Sequence, residues 1–152
     1  MSNRSITGAA NGSAAHSAMS AGDRVMDDSF RSLLFSRVPA EDLAGFSASA
    51  LATLADSAYA HLAQPRSGGQ PVVALRNVTV EQHGKMRELT VLDAVNDDMP
   101  FLLDSTLAEL VKRGLEPQLV AHPILGVERD GQGGLVGLGG DATAESAQAP
   151  RR

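Results

Sequence analysis

The chain is 152 residues long with a formal net charge of −5, which holds it to one domain at most and argues against a nucleic-acid partner, since its Lys and Arg residues form no basic cluster. The lack of cysteine excludes disulfides, thiol catalysis and thiolate metal sites and points to the cytoplasm; no apolar run approaches the ~20 residues that span a membrane, and the N-terminus lacks the apolar centre of a signal peptide. With 43% hydrophobic residues, many of them alanine, no tryptophan, one tyrosine and four phenylalanines, the core must be built from leucine and valine.

Residues 1–22, MSNRSITGAANGSAAHSAMSAG, are small and polar without periodicity, cannot repay the entropy of ordering, and are expected to form a disordered tail. From Asp23 a helical stripe begins, with Val25, Met26, Phe30, Leu33, Leu34 and Val38 recurring every three or four residues and an end expected near Arg37. Pro39, followed by Glu41 and Asp42, suits the first turn of a short second helix that Gly45 closes. Ser47 can cap a third helix, whose stripe of Leu51, Leu54, Ala58 and Leu62 runs on until QPRSGGQP breaks the chain.

Beyond the break, VVALRNVTV (Val72 to Val80) and ELTVLDAV (Glu88 to Val95) are rich in β-branched residues and flank the turn-prone EQHGK, which predicts an antiparallel hairpin. A helix follows from about Pro100 to Arg113, turning Leu102, Leu103, Leu107, Leu110 and Val111 inward, with Gly114 available for a left-handed C-terminal cap. The next strand is expected over Gln118 to Arg129, at a sheet edge or with a bulge, because Pro123 has no amide to donate. DGQGG makes a turn, LVGL is a short returning strand, and residues 139–152 form a second disordered tail. The pattern predicts an α+β fold in which N-terminal helices precede a mainly antiparallel, ferredoxin-like sheet with helices on one face. A right-handed crossover is expected between the strands flanking the helix after Val95. The organisation is thus a helical segment over 23–66 and an α+β unit over 70–138, on which the helix over 47–62 can pack.

Few residues offer chemistry. Asp97 and Asp98 lie where the second strand gives way to a helix, a place where carboxylates cap free amides, so Asp98 is expected to cap or precede the cap. The same turn, Asn96 to Met99, is the candidate effector or interface site, its two carboxylates suited to an ammonium group and repellent to an anion. Asp97, Asp98 and Asp104 match no metal-binding loop, and no two histidines have the spacing of a zinc helix. His122, before Pro123 in an apolar strand, is expected to be partly buried and hydrogen-bonded; neither Ser57 nor Ser105 sits in an elbow beside a base. The glycines of SGG and GQGG lack a nucleotide-binding context, so no catalytic, cofactor or metal residue is expected in this segment.

The combination of VPAEDL (Val38 to Leu43), NDDMPFLLDS (Asn96 to Ser105), RGL (Arg113 to Leu115) and LVAHPILGVERD (Leu119 to Asp130) resembles the N-terminal region of the large bacterial NAD-dependent glutamate dehydrogenases, over roughly residues 24–138. The resemblance implies the first of several ACT-type domains, set ahead of a distant catalytic domain that oxidatively deaminates glutamate to 2-oxoglutarate and ammonia. NAD would bind in that catalytic domain and not here. Partners would be the remaining domains of the parent chain and the subunits of a homo-oligomer, with an amino acid as effector. ACT domains often carry an Asp-x-Pro-Gly-Leu-Leu turn, and Asp98, Met99, Pro100, Phe101, Leu102 and Leu103 follow that pattern with Phe101 in place of glycine. A phenyl group there would fill the ligand's space or pack into the core, which favours docking or scaffolding over amino-acid sensing. A complete ACT fold has four strands and two helices, so the chain is expected to be truncated, or completed by its own helix over 47–62 and strand over 72–80. A stand-alone amino-acid-binding or protein-interaction module is the alternative.

Overall fold

The computed structural model describes residues 21–141, and side chains over 28–139. The tails expected at 1–22 and 139–152 lie outside these residues except for their inner ends, which belong to the first helix and the last strand. The architecture is α+β, with helices first and antiparallel strands after.

Helix α1 spans Ala21–Phe35, α2 is a single turn at Ala40–Leu43, and α3 spans Ala48–Leu62. Pro39 precedes α2 directly with φ −55°, where its missing amide costs nothing. Ser47 caps α3 by accepting the Ala50 N–H at 3.1 Å. The two long helices meet through Phe30, which is buried and stands edge-on to Tyr59 with ring centroids 5.3 Å apart, and through an Arg31–Asp56 ion pair at 3.3 Å.

Strands β1 (Val72–Gln82) and β2 (Lys85–Val95) form the expected hairpin in unbroken antiparallel register, from Val72 opposite Val95 to Gln82 opposite Lys85. His83 and Gly84 turn the chain with φ of 51° and 70°, the doubly left-handed turn that matches strand twist. Period-two alternation gives the hairpin two faces. The inner one carries Val78, Val80, Leu89 and Val91, and packs on Phe46, Ala50 and Leu54 to make the core. The outer one leaves Val73 and Leu75 exposed. Residues 45–47 lie along the far edge of β1: the Ser47 N–H donates to the Glu81 carbonyl at 3.2 Å and the His83 N–H to the Gly45 carbonyl at 2.6 Å.

Helix α4 covers Leu102–Lys112 and buries none of its residues. Gly114 closes it with φ 71°, its N–H reaching the Val111 carbonyl while the Leu115 N–H reaches that of Leu110, each at 2.9 Å. This is the left-handed cap expected at Gly114. Strands β3 (Leu125–Arg129) and β4 (Leu135–Asp141) form a second antiparallel hairpin.

The strands pair as two two-stranded sheets, so the expected crossover within one sheet is not formed. Pro123 leaves a missing amide inside the segment expected to pair beside the first hairpin, and that segment pairs instead with β4 from Leu125 on. The predicted strand over 118–129 shrinks to Leu125–Arg129, and its first part runs unpaired with Leu119 packed against the core.

Candidate functional site

The turn from β2 into α4 sets the positions of Asn96, Asp97, Asp98 and Met99. Its order comes from Asp97, whose carboxylate takes Arg66 Nη2 at 2.8 Å and the Gly69 N–H at 2.9 Å. Arg66 holds the carboxyl of Asp97 below the usual carboxylate range, chiefly through its hydrogen bond and then through its charge, with the Gly69 amide adding to both and partial desolvation opposing. Asn96 donates its amide to the Met99 sulfur at 3.3 Å. Asp98 and Met99 are exposed.

The structure corrects the expected cap. Asp98 does not cap α4: the residue at the cap position is Phe101, which makes no side-chain hydrogen bond to the helix. Pro100 occupies the turn instead of the first helical position, so Asp98 stands too far upstream for its oxygens to reach the free amides. Phe101 adopts φ 61° and ψ 8°, the left-handed conformation that suits glycine, which explains why the related pattern carries glycine there. Phe101 is 76% exposed rather than packed into the core. With Met99, Pro100, Leu102 and Leu110 it lines an open apolar hollow of about 450 Å³ that also borders Leu92 on the outer face of the hairpin.

On the other side of Asp97 lies a polar cluster of three loops. Arg66 binds the Gln70 carbonyl through Nε at 2.6 Å, and its backbone N–H donates to the Gly133 carbonyl at 3.0 Å. Arg129 donates to the carbonyls of Leu62, Gln64 and Gly133 at 2.7–2.9 Å and so closes the C-terminal end of α3. Asp130 accepts the N–H groups of Gln132 and Gly134 at 2.8 Å each. These loops surround a second hollow of about 450 Å³.

Arg66 and Arg129 gain their roles only in space: each is a lone arginine beside Gly- and Pro-rich chain, and no spacing rule links either to Asp97 or to α3. His61 likewise carried no signal beyond its place on a helix. It is buried, with Nε2 3.1 Å from the Val72 carbonyl, and ties α3 to the start of β1. His122 and Pro123 are half-buried in the unpaired stretch before β3, where the His122 ring finds no hydrogen-bond partner among the described residues, since no strand lies beside it.

No group of three or more His, Asp or Glu among the described residues is placed to hold a metal ion. The strand-to-helix turn holds two carboxylates and a proline, not the glycines and open amides that cradle a pyrophosphate. Among the described residues no helix is long and apolar enough to cross a membrane.

The model of the glutamate dehydrogenase ACT1 domain matches residues 30–151, most of the chain. The chain belongs to that family. It is 32% identical over 123 residues to an NAD-specific glutamate dehydrogenase of Halomonas elongata, covering 81% of this chain and 7% of that protein. It is 35% identical over 66 residues to the NAD-specific glutamate dehydrogenase of Pseudomonas aeruginosa, covering 43% of this chain and 4% of the relative. The ACT1 chain therefore corresponds to a small share of the length of the relatives it matches. No solved structure matches it.

Proposed function

We propose that this ACT1 domain is a non-catalytic regulatory and assembly segment of an NAD-dependent glutamate dehydrogenase, acting in the cytoplasm through contacts with the parent chain's other domains and with neighbouring subunits. The observation that carries this reading is the family match over residues 30–151 together with two relatives named as NAD-specific glutamate dehydrogenases. The geometry is in keeping with it. Met99, Phe101, Val111 and Leu115 are exposed around α4, and Val73 and Leu75 on the outer face of the hairpin, an apolar display suited to contact with other protein. The turn at Asn96 to Met99 favours contact over sensing, because Asp97 is already paired and the Phe101 ring stands beside the hollow an effector would enter.

The test is immunodepletion of extracts of the source cells with an antibody raised against residues 23–130. Glutamate-dependent NAD reduction should leave the extract with the antigen, and the antigen should migrate far above the mass of this chain. Activity that stays behind, with the antigen at 15.8 kDa, would replace this reading by a stand-alone module, for which binding of an amino acid at Asn96 to Met99 becomes the measurement to make.

A further inference from the structure

Helix α4 is poorly fixed by packing. None of its residues is buried, and Leu103, Leu107 and Leu110 on its apolar face are only half covered. Its position depends instead on the chain at its two ends, tied down after the helix by Leu119 on the core and before it by Asp97. Residues 98–101 alone separate Asp97 from the first residue of α4, and Asp97 is held at two points, by Arg66 and by the Gly69 amide.

Arg66 is a firm post for that contact. Its side chain is only 7% exposed, its Nε is bound to the Gln70 carbonyl, and its backbone is bound to Gly133. The approach at Gly133 is close enough that a Cβ there would meet the Arg66 carbonyl oxygen at 2.5 Å. Asp97, by contrast, is 60% exposed and closes onto the post from solvent. The hollow beside them is not an anion site. Its two arginines face two aspartates, Asp97 and Asp130, and both guanidino Nη atoms of Arg129 are engaged by carbonyls of the chain itself.

We infer that the Arg66–Asp97 ion pair is a latch: it holds the turn over 96–101, and α4 with it, against the loop over 64–70 and the β3–β4 turn, so that opening one surface pair frees the helix while the α3–hairpin core stays folded. This holds whether or not the domain serves a dehydrogenase.

The test is amide hydrogen exchange on the full chain with Asp97→Asn, which keeps the side chain's shape and an acceptor for the Gly69 N–H but removes the charge. Amides of residues 102–112 should exchange about two- to fivefold faster, the loss expected of one exposed pair, while those of α3 and β1 keep their rates. About 1 M salt, which shortens electrostatic reach to ~3 Å, should accelerate α4 exchange more in the unaltered chain than in the Asp97→Asn variant, where the pairs of Glu109 with Lys112 and Arg113 remain to be screened. Unchanged α4 rates in the variant would overturn the latch. So would equal acceleration of α3 and β1, which marks general destabilisation, or α4 exchange already as fast as in an unfolded peptide.

Discussion

The first hairpin keeps one register from Val72 opposite Val95 to its turn, whereas the second shifts register between Leu125 and Val127 and again between Glu128 and Arg129. The first has a covered face: Val78, Val80, Leu89 and Val91 press on α3, and a one-residue slip would turn the inward pair of the slipped strand to solvent. The second has short strands rich in glycine and gains its place from polar contacts, with Arg129 on the carbonyls that end α3 and Gly133 against Arg66. Apolar alternation thus specifies a register by itself, while a polar clasp specifies a position only once its partners have been folded.

The comparison is broken most severely at the core. Phe46→Ala should cost about 3–5 kcal/mol, read from chemical denaturation, because it empties the space between α3 and β1. A loss below about 1 kcal/mol would mean that the first hairpin does not rest on burial. Gly133→Ala should cost more than ~1 kcal/mol, since alanine is strained at φ 83° and its Cβ meets Arg66. That damage should be confined to β3–β4 and the clasp, with amide exchange of β1–β2 unchanged.

Ser47→Ala tests the other side of the comparison, and its expected cost of about 1 kcal/mol comes from loss of the cap on α3. Phe101→Gly should instead stabilise by about 0.5–1 kcal/mol, because it relieves a left-handed backbone and gives up a ring that is largely in solvent. Destabilisation by that substitution would show that the phenyl group packs. The smallest effect concerns Asp97. Its folded carboxyl lies below its ordinary value, so the clasp's contribution is fully present above that ordinary value and fades as pH falls through the depressed one. A carboxyl-carbon NMR titration should find the Asp97 midpoint higher in an Arg66→Gln variant than in the unaltered chain.

Much of this was legible in order of residues. The helix capped by Ser47, the hairpin around His83 and Gly84, and the glycine that ends α4 each follow from local spacing or from one residue's conformational freedom. Asp98 as a cap did not follow, because a proline two residues on permits either a first helical turn or a separate one, and the chain takes the second. The single sheet failed for a related reason. Pairing partners are chosen across the whole molecule, and the segment containing Pro123 pairs from Leu125 on with β4 instead of with the first hairpin.

The motifs that tie this chain to the glutamate dehydrogenase ACT1 domain lie in contiguous sequence, as does the amphipathic patterning of its core, and both could be read without coordinates. Where Asp97 spends its charge, which arginine ends α3, and how a phenylalanine comes to sit in a glycine's conformation were decided by tertiary structure alone. The physical reason is range. Periodicity and turn preferences act between near neighbours, whereas a guanidinium finds its carboxylate or carbonyl only after distant loops have been brought together by the burial of other residues.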